Sequence, residues 1–323
     1  MLQGFFCLFA CAGSGACSLG VAAGARNVPS LATALVLGGA ANALGQPSTN
    51  LLLARAIPIG RRGFAFGLKQ SAIPLATLLG GLAVPALGLT IGWRWAYVAG
   101  AVAAAGTLFA IPHVDASARR EGEGTHTQAL TTLALLGIGG GLGAAAAGAL
   151  GGFFVDSGVA SGLSESTAGL VLAAGSAVNF VTRLTSGAQA DRRGGGHFRW
   201  VSTMLVAGAA GYLLLAWGNA PLFALGAMLA FGAGWGWPSV FHLAVVVSNP
   251  GAPGAATGVT QTGVYVGGCA GPLLFGALAE HVSYSVAWSC AAGAVVAASA
   301  LVMLGRARVR GARRAREASA AVT

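Results

Sequence analysis

Long apolar segments are the feature of this sequence that most limits its fold. A membrane-spanning helix needs about 20 mostly apolar residues, and we count about ten such runs. Of the 323 residues, 55% are hydrophobic and 8% are charged, whereas a soluble domain carries about a quarter charged residues. The runs lack the alternation of barrel strands, so the sequence predicts an all-α membrane protein. They are 4–24, 30–54, 63–89, 93–111, 129–154, 166–186, 200–217, 221–247, 255–279 and 284–304.

Small residues and missing motifs narrow the function. The chain has 53 glycines, and their placement within the apolar runs predicts closely packed helices. No zinc-protease, nucleophile-elbow or Walker motif occurs, so we expect neither an enzyme nor a resident cofactor. The cysteines have no metal-ligand spacing, and we expect no metal site. They are Cys7, Cys11, Cys17, Cys269 and Cys290.

The distribution of charge predicts the orientation in the membrane. Threading ten spans alternately places most arginines on one side, and basic loops stay cytoplasmic. Both termini are therefore expected in the cytoplasm of a multi-pass protein of the cell membrane. We interpret the net charge of +10 as topology and contact with anionic lipid, not as nucleic-acid binding. That side carries Arg61, Arg62, Arg119, Arg120, Arg192, Arg193, Arg199 and the tail 306–316; the other carries Arg26, Arg94, Asp156, Glu165 and Glu280.

A direct repeat relates two parts of the chain at a constant offset of 191 residues. GFAFGLKQ (63–70) matches GAATGVTQ (254–261), and GQPS (45–48) matches GWPS (236–239). The offset contains six spans, so the two copies cross the membrane in the same direction. Parallel repeats of this kind predict a transporter with two six-helix halves, and they argue against two inverted five-helix halves. The matched residues are Gly63 with Gly254, Ala65 with Ala256, Gly67 with Gly258, Gln70 with Gln261 and Gly80 with Gly271.

The same offset places the counterparts of residues 129–190 before Met1. We therefore expect a twelve-helix architecture that lacks its first two helices. A misplaced start site, a true truncation and a pseudogene would each give this pattern.

One loop resembles a known family signature. GAQADRRGGG (187–196) is similar to the loop of the major facilitator superfamily that reads Gly-x-x-x-Asp-Arg-x-Gly before basic residues; here Gly195 and Gly196 stand in the basic positions, with Arg199 nearby. RRGFAFGLKQS (61–71), Pro85 and GWRWAY (92–97) also resemble the family. The resemblance implies family helices three to twelve, and a gating loop that clamps the cytoplasmic side. That loop comprises Gly187, Asp191, Arg192, Arg193 and Gly194.

These inferences divide the chain into four parts. They are an incomplete N-terminal half with four helices (1–112), a cytoplasmic linker (113–128), a C-terminal half with six helices (129–305) and a basic cytoplasmic tail (306–323).

Asp191 has a chemistry that the sequence itself suggests. Its carboxylate follows a predicted helix and stands beside Arg192 and Arg193. It can pair with an arginine and cap a neighbouring helix N-terminus, a contact that can form in one conformation and break in another. The alternative is a solvated loop charge.

Two cations at membrane depth are candidate substrate-binding residues, because charge inside a span is costly. Lys69 is the only lysine, about 10 Å above Arg62 at 1.5 Å per residue. One role is to line a central cavity, where the ammonium attracts an anionic substrate group or takes part in ion coupling. The alternative is that the long side chain extends back to the cytoplasmic interface. Arg183 shares a helix face with Asn179 and Gly187, and the alternative role is a structural partner for the Asp191 loop.

The other candidates are uncharged or aromatic. Transporter sites lie where repeats meet, which favours the repeat-related glutamines, although each could simply bond a neighbouring helix. His242 is interpreted as a packed histidine rather than a proton relay, because its span holds no acid. The remaining substrate-binding candidates are Asn42, Gln46, Gln70, Asn179, Trp235, Trp237, Gln261 and Tyr265.

The sequence as a whole predicts a monomeric secondary transporter that works by alternating access. We expect a small-molecule substrate, with an organic anion favoured by Lys69 and Arg183. Coupling to H+ or another ion is left open. The alternatives are a drug or metabolite efflux carrier of the same fold and a truncated membrane remnant that does not transport.

Overall fold

A computed structural model describes residues 2–83, 87, 90–110, 127–217 and 219–320. Within these ranges the regular structure is helical and contains no β-strand. Pro85, Arg119, Arg120 and most of the predicted linker, 113–126, lie outside the described residues. The helices are α1 (Leu2–Gly24), α2 (Val28–Ala56), α3 (Arg62–Ala83), α4 (Arg94–Ala110), α5 (Leu130–Ala160), α6 (Glu165–Arg193), α7 (His197–Ala216), α8 (Ala220–Leu229), α9 (Pro238–Ser248), α10 (Pro253–His281) and α11 (Tyr284–Ala320).

Seven segments of the described chain are long and apolar enough to cross a membrane: α2, α5, α6, α7, the combined segment Ala220–Ser248, α10 and Tyr284–Ser319. The prediction of about ten spans is not confirmed by this criterion. One reason is length. Helix α4 has 17 residues, which extend about 26 Å at 1.5 Å per residue.

The chain divides into two compact units, one comprising residues 1–58 and 76–123 and the other residues 59–75 and 124–323. In the first unit, α1 packs against α2 and α4. Ser18 donates a hydrogen bond of 2.7 Å to the carbonyl of Ala34, and Arg94 donates one of 3.0 Å to the carbonyl of Ala25. These contacts join α1 to α2 and the start of α4 to the residue that follows α1.

In the second unit, small residues bring α5 and α10 into close contact. A Cβ on Gly263 would collide with the backbone of Gly137, and a Cβ on Gly267 with that of Gly141. A Cβ on Gly271 would collide with the backbone of Ala145. The positions recur every four residues on both helices, so one glycine-lined face of α10 lies along one face of α5. The prediction that glycines serve helix packing is confirmed for this pair.

The segment Ala220–Ser248 is interrupted between α8 and α9. A π-helical turn, Ala230–Gly234, follows α8, and α9 begins at Pro238. Proline has no N–H to donate into the preceding turn, so residues 235–237 leave the helical ladder. The carbonyl of Trp235 lies in this break and accepts a hydrogen bond from the side chain of Arg183.

Candidate functional site

Arg183 on α6 is the centre of a buried polar cluster in the second unit. Its side chain is fully buried. Its Nε donates to Oδ1 of Asn179 at 2.6 Å, one Nη to the carbonyl of Gln70 at 2.5 Å and the other Nη to the carbonyl of Trp235 at 2.8 Å. These acceptors are uncharged, and they belong to α6, α3 and the break before α9. The guanidinium thus holds three parts of the chain together through neutral acceptors.

His242 on α9 joins the two repeat-related glutamines. The Gln70 amide lies 2.7 Å from Nδ1 of the imidazole, and Oε1 of Gln261 lies 2.7 Å from Nε2. The carbonyl of Pro238 lies 2.6 Å from Nδ1. With the proton on Nε2, the ring donates to Gln261 and accepts from Gln70; with the proton on Nδ1, it donates to Pro238. All three side chains are buried, so the imidazole connects α3, α9 and α10.

We refer to Gln70, Asn179, Arg183, His242 and Gln261 as the Arg183 network. Lys69 is adjacent to it on α3 and half-buried. The position equivalent to Lys69 in the second repeat is Thr260, which is fully buried and donates to the carbonyl of Ala256 within α10. The positive charge is therefore confined to one copy of the repeat.

Asp191 caps the N-terminus of α3. Its two carboxylate oxygens accept hydrogen bonds from the backbone N–H groups of Gly63 at 2.6 Å and Phe64 at 2.8 Å. A carboxylate at this end of a helix is stabilised by two charge-assisted hydrogen bonds and by the helix dipole. The capping contact that the sequence suggested for Asp191 is present.

Glycines allow α3 and α6 to approach at the same place. A Cβ on Gly187 would collide with the carbonyl of Gly63 and would lie 3.0 Å from Cα of Gly67. A Cβ on Gly67 would lie 2.5 Å from the carbonyl of Arg183. Gly63, Gly67, Gly187 and Asp191 form what we call the α3–α6 contact, in which one turn of each helix touches the other through backbone atoms.

The rest of the predicted gating loop has local roles. Gly194 ends α6 in the left-handed conformation, with φ 61°, which favours glycine. The Arg193 guanidinium stacks over the ring of Trp200 at 4.0 Å, and Arg192 is exposed. Neither arginine contributes to the cap of α3, which Asp191 makes alone among the residues of this loop.

The other predicted site residues occupy different positions in the structure. Asn42 and Gln46 belong to the other compact unit, where their side chains lie 3.5 Å apart on α2. Trp237 is buried against Phe241, with ring centroids 5.3 Å apart. Tyr265 is half-buried one turn after Gln261. Trp235 contributes its carbonyl rather than its ring.

His242 is more central to the site than its sequence context indicates. Spacing within a helix reveals pairs such as Asn179 and Arg183, whereas His242 bonds to side chains on two other helices. The available signal was the repeat, because two buried glutamines at equivalent positions need partners and the broken span supplies a histidine.

The cluster combines one buried cation with neutral donors and acceptors. Within the described part of the chain, no group of three or more His, Cys, Asp or Glu residues could hold a metal ion. Such an arrangement can attract an anion or hold helices together, and it offers no nucleophile paired with a base.

Comparison with known proteins identifies the family. The sequence profile of the Major Facilitator Superfamily matches residues 4–133 and 158–322. No curated protein sequence matches the chain. Among solved structures, the human organic anion transporter MFSD10 (TETRAN) is similar, with a TM-score of 0.74 at 18% identity, over 91% of this chain and 76% of that one.

Structures of FucP give the same fold. FucP in the outward conformation matches with a TM-score of 0.66 at 14% identity, over 94% of this chain and 82% of that one. The Escherichia coli fucose:proton symporter FucP, in a variant form, matches with a TM-score of 0.68 at 13% identity, over 94% and 83%. At these identities the likeness shows the fold. Proteins of this family are multi-pass membrane transporters and not enzymes, and by its profile match and its fold the chain belongs to the Major Facilitator Superfamily.

Proposed function

We propose that this chain is a secondary transporter that moves a small organic anion across the cell membrane by alternating access. The observation that carries the proposal is the fully buried Arg183, whose hydrogen bonds go to the uncharged oxygens of Asn179, Gln70 and Trp235. A buried cation without a carboxylate is costly. A substrate carboxylate, sulfonate or phosphate would supply the missing charge.

The Arg183 network would also provide specificity. Gln70, Asn179 and Gln261 offer amide donors and acceptors that can exchange their present partners for polar groups of a substrate. Because these residues are buried here, substrate access requires α3 to separate from α6 and α9. The bond from Arg183 to the Gln70 carbonyl would then break, which frees donors of the guanidinium when a pathway opens.

The α3–α6 contact supports a switching role. Its stabilisation comes from two hydrogen bonds to Asp191 and from backbone contacts between glycines. Such a contact has few side chains to rearrange, so α3 and α6 can separate and rejoin as rigid elements.

We further propose that the protein is a monomer in the cytoplasmic membrane and that both of its termini lie in the cytoplasm. The arginine-rich extension of α11 supports this orientation. The number of spans is proposed to be about ten, family helices three to twelve, with α1, α3 and α4 crossing in addition to the seven candidates. We propose no nucleic-acid partner and no resident cofactor.

Equilibrium binding tests the substrate class. The purified chain in neutral-lipid nanodiscs would be screened by thermal stabilisation with organic anions and with neutral analogues of the same shape. We expect anions alone to stabilise the wild type, and the Arg183→Gln variant to lose that stabilisation while it keeps its size-exclusion profile. Stabilisation by neutral or cationic amphiphiles, unaffected by Arg183→Gln, would contradict an anion site and favour a drug efflux carrier.

Ion coupling stays a prediction. Uptake into proteoliposomes with and without an imposed pH or Na+ gradient tests it. Accumulation above equilibrium under one gradient indicates coupling to that ion, and equilibration alone indicates a uniporter.

A further inference from the structure

A second polar feature of the second unit lies away from the Arg183 network. A cavity of about 770 Å³ opens between the loop Gly194–Gly196, the end of α9 and the C-terminal extension of α11. This volume is in the range of small-molecule sites, roughly 300–1,000 Å³. We call it the arginine-lined cavity.

Four arginines of α11 give the cavity its charge. Arg306, Arg310, Arg313 and Arg316 line it, and their spacing of three or four residues places them on one helix face. Arg199 and Arg310 lie close enough for their charges to act on Arg306. The acid in the lining is Glu317, which bonds to Arg313 at 2.7 Å. Four arginines against one glutamate leave an excess of three positive charges.

The opposite wall is suited to an anion for an independent reason. Helix α7 begins at His197 without a side-chain cap, after Gly196 in the left-handed conformation with φ 75°. Backbone N–H groups at a helix N-terminus bind anions. His197 and Phe198 of this first turn line the cavity, so helix terminus and arginines face the same space.

Apolar side chains complete the lining. Phe198, Val247 and Val309 contact the same space as the arginines. A bare inorganic ion would leave this part of the wall unused, whereas a glycerol or other organic moiety would cover it.

We propose that the arginine-lined cavity binds a phosphate group carried by an organic moiety, either a phospholipid headgroup or a soluble organic phosphate. Arginine pairs with phosphate oxygens through two parallel hydrogen bonds. Bound phosphate relieves the repulsion between Arg306 and Arg310 and links α7 to the end of α11. The site is separate from the Arg183 network, so the proposal does not depend on the transported substrate.

Two double variants of the full chain test the proposal. Arg306→Gln with Arg310→Gln removes two charges from the cavity. Arg308→Gln with Arg314→Gln removes two charges from the same extension, at positions that do not line the cavity. The probes are glycerol 3-phosphate in solution, measured by calorimetry, and phosphatidic acid in phosphatidylcholine nanodiscs, measured by native mass spectrometry. Thermal unfolding checks the fold, and Arg313→Gln with Arg316→Gln replaces the first variant if that variant does not fold.

We expect the cavity variant to weaken binding by roughly tenfold or more, because it loses charge-assisted hydrogen bonds to the phosphate group, and the matched variant to bind like the wild type. Binding of glycerol 3-phosphate identifies a soluble ligand as sufficient. Binding of phosphatidic acid alone identifies the lipid headgroup. Equal weakening by both double variants, or no binding of either probe to the wild type, would overturn the proposal, since only diffuse electrostatic attraction or none would be left.

Discussion

At the scale of single residues, two positions that the sequence repeat relates contact the same side chain in the buried polar cluster. Gln70 and Gln261 are equivalent in the two halves of the repeat, and both amides reach the imidazole of His242 at 2.7 Å. From the sequence, each glutamine could equally have made a separate hydrogen bond to a neighbouring helix. Their shared partner makes them one unit with Arg183, whose guanidinium also binds the carbonyl of Gln70.

This shared partner predicts that the two glutamines are energetically coupled. Replacing either one by Leu removes a glutamine partner from the His242 imidazole, at a cost of about 1–2 kcal/mol in a membrane helix bundle. We expect the double variant Gln70→Leu with Gln261→Leu to be destabilised by less than the sum of the single variants, because the imidazole is disturbed only once. Thermal unfolding in detergent measures this cycle, with Thr262→Val, an exposed position of α10, as control. Strict additivity would show that His242 does not join them.

We predict that the positive charge of Lys69 favours the uptake of anionic over neutral substrates. If its ammonium contributes to the field around the Arg183 network, Lys69→Gln lowers uptake of an organic anion by roughly tenfold, which corresponds to about 1.4 kcal/mol. Uptake of a neutral analogue should change by less than about twofold, because no charge interaction is lost. Parallel uptake assays on both solutes measure the ratio. Anion uptake that is unchanged in this variant would assign Lys69 to the membrane interface instead.

At the scale of helices, α3 and α6 are held by the Asp191 cap, by close contacts between glycines and by the hydrogen bond from Arg183 to the carbonyl of Gln70. The sequence anticipated that Asp191 could cap a helix, and the neighbouring Gly187 was already part of the family signature. It did not indicate that α3 was the capped helix, because that depends on how α3 and α6 pack. The break at GWGWPS is a second example. Its proline predicts an interrupted helix, whereas the hydrogen bond from Arg183 to the carbonyl of Trp235 depends on tertiary packing.

The cap predicts how the contact opens. Asp191→Asn removes the charge at the N-terminus of α3 and weakens the contact by about 1 kcal/mol, which changes the closed-to-open ratio by roughly fivefold. The reporter is a cysteine introduced by Ser71→Cys in a chain whose five native cysteines are replaced. Position 71 is buried beside α6 when the contact is closed. We expect faster labelling by a membrane-impermeant thiol reagent in the Asp191→Asn background.

Asp156→Asn is the matched control for this measurement, because Asp156 is an exposed acid on α5. Its labelling rate should equal that of the unmodified reporter. Equal rates for Asp191→Asn and Asp156→Asn would mean that the cap does not control opening.

At the scale of the whole molecule, hydropathy, the repeat and the loop signature were enough to predict an all-helical transporter fold, and the family is confirmed. Parallel repeats have a direct physical consequence, since equivalent positions come to equivalent depths. The site was only partly predictable. Asn179 and Arg183 followed from spacing along one helix, while His242 and the carbonyl partners of Arg183 come from segments far apart in sequence. Asn42 and Gln46, chosen by the same spacing rule, belong to the other compact unit.

Transport of an organic anion through Arg183 is the central claim, and uptake into proteoliposomes tests it most directly. The comparison uses the wild type, Arg183→Gln and Arg314→Gln, an exposed arginine of the α11 extension that loses the same charge. We predict saturable uptake of the labelled anion by the wild type and by Arg314→Gln, and a loss of at least roughly tenfold in Arg183→Gln. Equal uptake by Arg183→Gln and the wild type would contradict the role of Arg183, and no uptake by the folded wild type would favour a membrane remnant that does not transport.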